Sequence, residues 1–196
     1  MDFTEVVRKR RMVRHFRPDP VPHEVIERIL TLARQAPSAG FTQGQSFIVV
    51  TQPETREAIA RLCGEEEYVS AGFHPFITEA PVLLVACADE ESYHRRYREA
   101  DKLEPDGSEI VWPVPYWIMD IGCAAMLVLL GVVNEGLAAG FAGAHDLPAL
   151  RSLLGIPATV WPVGVIPVGY GAQDVPSGSL KRGRVPDDTY IHAERW

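Results

Sequence analysis

MDIGCAAMLVLLGVVNEG, Met119 to Gly136, is the stretch on which the fold turns. Its uncharged apolar part, Ile121 to Val133, is too short to cross a bilayer, which takes about 20 helical residues. The run therefore reads as a helix buried at the centre of a globular core. Upstream, Val82 to Ala88 is short and almost wholly apolar, as a central strand is. Downstream, Gly136, Gly140 and Gly143 give a permissive backbone, and a short helix follows, capped by Asp146 and ended by Gly155. Val163 to Tyr170 reads as a further strand, edge-like or bulged because Pro167 lacks an N–H.

Towards the N-terminus, Phe3, Val6, Val7, Arg10 and Arg14 share one helical stripe that faces inward at its apolar end. Three prolines in Arg17 to Pro22 make a stiff connector. A second helix, His23 to Gln35, carries Val25, Ile26, Ile29, Leu30, Leu32 and Ala33 on its apolar face. Ser46 to Thr51 is rich in β-branched residues and reads as a strand, and Pro53 opens a third helix. Glu90 to Lys102 is charged and helical, and leads into a long loop ending in the aromatics Trp112, Tyr116 and Trp117. A few strands separated by helices point to an α+β sheet flanked by helices.

The 196 residues suit one domain spanning 1–196. The net charge of −7 repels phosphate backbones and anionic lipid, so neither nucleic acid nor membrane is expected as a partner. The N-terminus has no apolar stretch resembling a signal peptide. Cys63, Cys87 and Cys123 are odd in number and widely spaced, which fits no disulfide framework or zinc site; a cytoplasmic location and buried packing for all three are the expectation.

Four segments carry chemistry-bearing groups. Arg10, Arg11 and Arg14 offer planar donor forks that match phosphate or carboxylate, or else form a solvated helix end. Ala36 to Gln45 sets hydroxyl, amide and backbone donors just ahead of a strand, or is only a loop. Gly136 to Gly143 permits close approach of a ligand, or simply ends a helix. Lys181-Arg182-Gly183-Arg184 is a basic cluster in a polar tail. No dinucleotide-binding glycine motif, Walker A run, zincin motif or nucleophile elbow is present, and the histidines are scattered. A cofactor that brings its own reactive atom suits an enzyme without an activated nucleophile.

Taken in order, these segments resemble the nitroreductase family. Arg10-Arg11-Met12-Val13-Arg14 is similar to its Arg-Arg-Ser-x-Arg opening, and Ala36-Pro37-Ser38 with Gln43 to its Ala-Pro-Ser-x-x-Asn-x-Gln-Pro-Trp block. Asp120 through Gly143 resembles its central helix and following turn. Pro167 to Gly171, with Arg182-Gly183-Arg184-Val185-Pro186, is similar to its closing elements. The resemblance implies an α+β sandwich with a mainly antiparallel sheet. It also implies a domain-swapped homodimer with tails 172–196 exchanged and FMN at two interface sites. Arg10, Arg11, Arg182 and Arg184 would hold the flavin phosphate, and Arg14 would lie by the N1–C2=O edge. Met12, Pro37, Ser38, Ala39 and Gln43 would line the ribityl chain or ring, and backbone groups of Gly140, Phe141 and Ala142 would face the ring. Phe41, Trp112, Tyr116 and Trp117 would shape the substrate pocket, although core packing or dimer contact suits each of these loop aromatics as well.

On that resemblance NAD(P)H reduces FMN and a small organic acceptor (nitroaromatic, quinone or enone) reoxidises it, in a ping-pong sequence. A deazaflavin partner, a non-catalytic flavin-binding sensor or store, and a chain that has lost FMN are the alternatives. Three departures stand out: Met12 replaces a serine, Phe41 stands where asparagine is usual, and Gly44-Gln45 replace Pro-Trp.

Overall fold

A computed structural model describes all residues 1–196. The strands are β1 (Gln45–Val50), β2 (Val82–Asp89), β3 (Ala138–Ala139) and β4 (Val160–Gly169). They form one antiparallel sheet in the order β1-β2-β4-β3. Seven consecutive residues of β2 are buried, because helices cover both faces of the sheet. Strand side chains alternate between faces, and the two cores follow that alternation. Leu83, Val85 and Cys87 pack with Ile59, Phe76, Ile77 and Leu150 on one face. Val82 and Leu84 pack with Ile26, Ile29, Val128 and Val132 on the other.

The first face is covered by α3 (Pro53–Leu62), α4 (Glu65–Ser70), α5 (Phe76–Glu79) and α8 (Leu147–Leu154), and the second by α2 (His23–Ala33) and α7 (Tyr116–Asn134). Asp146 caps α8 through the Ala149 N–H at 2.9 Å, and left-handed Gly155 ends it, as the sequence indicates. The helix α7 is longer than its uncharged run and long enough to span a bilayer, yet Ile121, Ala124, Val128 and Val132 pack on the sheet. Cys123, expected to be buried, is instead exposed on the outer face of α7 beside Met119 and Met126. Burial raises the Cys63 thiol to about 12, with Glu65 adding to it, and Cys87 to about 11. Neither is a thiolate nucleophile.

The structure corrects four further expectations. α1 (Phe3–Lys9) buries only Val6, and Phe3 and Val7 are exposed, so the inward stripe fails. The helix stops because residues beyond Lys9 turn extended and Met12 bridges Ala139 instead. α6 (Glu90–Tyr97) ends five residues early, where Arg96 turns to Asp101 and the Gly40 carbonyl. Tyr116 and Trp117 belong to the first turn of α7 rather than to the loop, Pro115 serving as its N-cap. β4 is an interior strand despite Pro167. Its carbonyl accepts the Gly140 N–H at 3.0 Å, and a strand residue's N and O point to one side. The missing donor thus faces the side where β3 has already ended and leaves the β2 ladder intact. A register shift at Ala86/Cys87 supplies the bulge.

Two short helices, α4 and α5, are held by one buried carboxylate. Glu65 accepts the Ile77 N–H at 2.6 Å, the Thr78 N–H at 3.0 Å and the Thr78 hydroxyl. Glu65→Ala leaves those donors unpaired, at about 1–3 kcal/mol for each buried group. Urea unfolding of this variant is expected to show a loss of about 2–4 kcal/mol, while Glu66→Ala on the exposed side stays near the parent value.

Candidate functional site

Residues 12–17 form a backbone zipper. Val13 N–H donates to Ala139 O at 2.9 Å, Ala172 N–H to His15 O at 3.0 Å and Arg17 N–H to Tyr170 O at 2.8 Å. Arg14 N–H donates to the Asp174 carboxylate at 2.9 Å, and Asp174 lies 3.7 Å from the Arg11 guanidinium. The arginine segment is thereby clamped between the turn after α7 and the root of the tail. Gly140 is required here, because a Cβ would sit 2.9 Å from the Val13 carbonyl oxygen. The guanidiniums of Arg10, Arg14, Arg182 and Arg184 have no carboxylate partner. Arg14 instead lies 5.2 Å over the Phe73 ring. Met12 turns its side chain into the apolar cluster of α2 and α7.

Of the three residues after β3, two have their amides taken by the sheet. Gly140 N–H bonds Pro167 O and Ala142 N–H bonds Val165 O, at 3.0 and 2.8 Å. The Phe141 N–H, between them, has no partner within the chain, and its ring covers Gly164, which has no room for a Cβ. One free amide in this turn, beside unpaired arginines, is a donor set suited to an anionic, planar, polar-edged ligand such as FMN.

The second segment is a compact loop. Ser38 Oγ accepts the Gln43 N–H at 2.9 Å, and Gln45 Nε2 donates to Pro37 O at 2.9 Å. A short 3₁₀ turn spans Ala39–Phe41, and Gly40, Phe41 and Gln43 all have positive φ. For Phe41 and Gln43 that backbone is strained, and such residues persist where surroundings over-determine them. Asp120 supplies the constraint. It is buried at the fifth residue of α7 and accepts the Ala39 N–H at 2.9 Å and the Tyr93 hydroxyl at 2.8 Å. Burial, and then the bond to Asp120, push the Tyr93 phenol well above its usual range. Tyr93 thus stays a neutral donor. Asp120 was not singled out from the sequence as a site residue; its signal there is a lone acid at the head of an apolar run.

Phe41 stands exposed at the loop tip. Beside the loop, a cleft of about 360 Å³ is lined by Arg34, Gln43, Gln45, Phe47 and Ala124. Trp112 packs in a cluster rather than presenting a free face. Its ring lies 4.5 Å from Tyr97, 5.7 Å from Trp117, 5.8 Å from His94 and 6.0 Å from Tyr116. Its indole N–H donates to Glu109 at 2.6 Å. Burial works against ionising Glu109, but bonds from Trp112, His94 and Arg98 hold it below the usual carboxylate range.

The two segments do not meet within one chain. The loop contacts α7 at Asp120, near its N-terminal end, and the arginine segment packs beside the turn after Asn134, about 21 Å away at 1.5 Å per residue. The sheet gives a similar separation. Gln45 pairs with Ala88, whereas Pro167 pairs with Leu83, about 17 Å along β2. Arg182 and Arg184 extend from the exposed tail and bond to neither segment.

The sequence model of the nitroreductase family matches residues 7–170. A protein of Methanothermobacter thermautotrophicus, named as a candidate NADH dehydrogenase/NAD(P)H nitroreductase, is 29% identical over 100% of this chain and 88% of its own. An iodotyrosine deiodinase of Nematostella vectensis is 27% identical, covering 92% of this chain and 71% of its own. Among solved structures, a nitroreductase family protein of Streptococcus pneumoniae superposes with TM-score 0.77 at 21% identity, covering 98% of this chain and 100% of the other. One from Clostridium novyi gives 0.72 at 22% identity, over 88% and 87%. With its sequence pattern matched from Val7 to Tyr170 and its architecture shared, the chain belongs to the nitroreductase family.

Proposed function

We propose that the chain is an FMN-dependent oxidoreductase that works as a homodimer, taking reducing equivalents from NAD(P)H and passing them to a small organic acceptor. The observation that carries this reading is the separation of two half-sites at opposite ends of α7. One half holds unpaired arginines and the free Phe141 amide; the other holds the strained Pro37–Gln43 loop. A second copy that brings its loop to the first copy's arginines completes a site that one chain leaves divided. The exposed apolar face of α7, with Met119, Cys123 and Met126, is available for that pairing. So are Leu180, Tyr190, Ile191 and Trp196 on the tail, which stand in water in the single chain.

Bound FMN supplies hydride acceptance from NAD(P)H and hydride delivery to the acceptor, in alternating half-reactions. Arg10 and Arg11, with Arg182 and Arg184 of an exchanged tail, hold its phosphate. Arg14 would place positive charge by the pyrimidine edge of a bound flavin, and the Phe141 N–H would be available to it as a donor. Pro37, Ser38, Ala39 and Gln43 line the flavin. Phe41 and the Trp112, Tyr116 and Trp117 cluster bound the acceptor side, Trp112 by bracing the wall rather than stacking on substrate. Nitroaromatics, quinones and enones are the acceptor classes. Halogenated phenols join them because proteins named iodotyrosine deiodinase match the chain at an identity close to that of the named nitroreductase.

Three outcomes test this reading. The purified protein is expected to be yellow, to bleach anaerobically with NADPH or NADH, and to regain its colour when one of these acceptors is added. A stably yellow protein that neither donor bleaches supports the sensor or storage reading instead. Arg10→Ala is expected to fold normally and to bind FMN about tenfold to a hundredfold more weakly by calorimetry, the loss of one charged hydrogen-bonding partner being about 1.5–3 kcal/mol. Truncation after Gly171 is expected to weaken the dimer and release FMN together, read by sedimentation velocity in the ultraviolet and at the flavin band. A truncated monomer that keeps stoichiometric flavin overturns the two-chain site.

A further inference from the structure

Outside that site, three side chains from three separated segments converge at the root of the tail. One nitrogen each from His15 and His74 and a carboxylate oxygen of Glu79 lie within 4.8 Å of one another. His15 follows Arg14 on the zipper, His74 precedes α5, and Glu79 closes α5. We propose that these three residues form a binding site for a divalent transition-metal cation of the zinc type.

Two features of the geometry prepare the ligands. The His15 Nδ1 lies 2.7 Å from the Gln173 carbonyl, which can only accept, so Nδ1 carries the proton and Nε2 keeps its lone pair. A histidine held by its second nitrogen on a backbone carbonyl is the usual outer-shell arrangement of metal-ligating imidazoles. Glu79 is held likewise: one oxygen accepts the Phe16 N–H at 3.3 Å, and the other lies 3.5 Å from His74 Nδ1. Each group is only partly buried, so water can enter and can supply the remaining coordination position.

The histidine rings are stacked, with centroids 3.5 Å apart and planes 5° from parallel. Imidazole lone pairs lie in the ring plane, so a metal about 2.1 Å from both nitrogens requires one ring to turn. His74 is the ring free to do so, since its side chain is 42% exposed and no carbonyl fixes it. The turn brings donors now within 4.8 Å to the spacing of about 3.4 Å that tetrahedral coordination sets. Two imidazoles and one carboxylate form a borderline set that favours zinc, nickel or copper over calcium or magnesium. Binding would tie residues 15–16, 74–79 and 173 together where the tail leaves the body of the protein, and would stabilise the native chain by mass action.

The test uses the full chain carrying Cys123→Ser, which removes the exposed thiol, stripped by chelator and dialysis. Calorimetric titration with Zn²⁺ is expected to show one saturable site per chain and a rise in melting temperature. His74→Gln and Glu79→Gln are each expected to weaken binding by about a hundredfold and abolish the melting shift, with metal-free melting temperatures unchanged. His23→Gln, which removes an exposed histidine paired with Glu27 at 3.3 Å, is expected to bind as the parent does. Imidazole NMR signals of His15 and His74 in the parent are expected to shift together up to one equivalent, a readout that needs no variant. No saturable binding at about millimolar Zn²⁺, undiminished binding by His74→Gln, or saturation without movement of those two signals overturns the proposal.

Discussion

A nineteen-residue helix laid across one face of a four-stranded sheet sets the spacing on which everything else in this protein depends. Near its N-terminal end it carries Asp120, which orients the Pro37–Gln43 loop, and the turn beyond its last residue carries Gly140, which receives the arginine segment. Because α7 is rigid and packed along its length by Ala124, Val128 and Val132, the distance between the two attachments cannot be shortened by local rearrangement. The loop and the arginine segment are therefore kept apart by the same hydrophobic packing that stabilises the fold.

Asp120 shows how a core position can act on a site it never enters. A buried carboxylate is costly unless it is hydrogen-bonded, and here both bonds converge on Oδ2 of Asp120. Here the donors are the Ala39 amide and the Tyr93 hydroxyl. The loop amide thereby becomes part of the solvation of a core charge, which offsets the strain of positive φ at Phe41 and Gln43. The departure at Gly44 follows from the same arrangement. A Cβ there would lie 2.5 Å from the Tyr93 ring and 3.1 Å from the Asp89 carbonyl, so glycine is what lets Tyr93 reach Asp120. Gln45 then closes the loop on Pro37 O. Phe41 also has a place, exposed at the tip where an acceptor or a second chain would meet it.

How much was legible in the sequence follows the range of the forces involved. Helices α2, α3 and α8 and the central strand β2 were readable because their signals are local: an apolar face, Pro53 at a first turn, the Asp146 cap, an unbroken apolar run. The early end of α1 was not, because Met12 leaves the helix for a backbone bridge to Ala139, more than a hundred residues away. The interior position of β4 was hidden for a related reason, since only the turn after β3 decides which edge Pro167 faces. Of the candidate site, the sequence carried residue types in order, from Arg10 to Arg184. The candidate site was not legible as geometry, and nothing in the sequence said that Gly140 and Ala142 would spend their amides on β4 while Phe141 kept its own.

Electrostatics bears on how the tail arginines relate to the arginine segment. The chain carries a net charge of −7, yet Arg10, Arg14, Arg182 and Arg184 have no acidic partner. Bringing unpaired guanidiniums together without an anion costs Coulomb energy, and that cost grows as water is excluded. On the proposed two-chain reading, a tail that delivers Arg182 and Arg184 to another chain's Arg10 and Arg11 would be opposed until a dianionic phosphate fills the space between them. On the two-chain reading, cofactor binding and tail docking then favour each other through one shared charge, a coupling that is reciprocal by thermodynamic necessity. Asp174 is placed to moderate the same field. Its buried carboxylate holds the Arg14 amide and faces Arg11, so one arginine is partly neutralised within the chain, while the guanidiniums of Arg10, Arg14, Arg182 and Arg184 stay without an acidic partner.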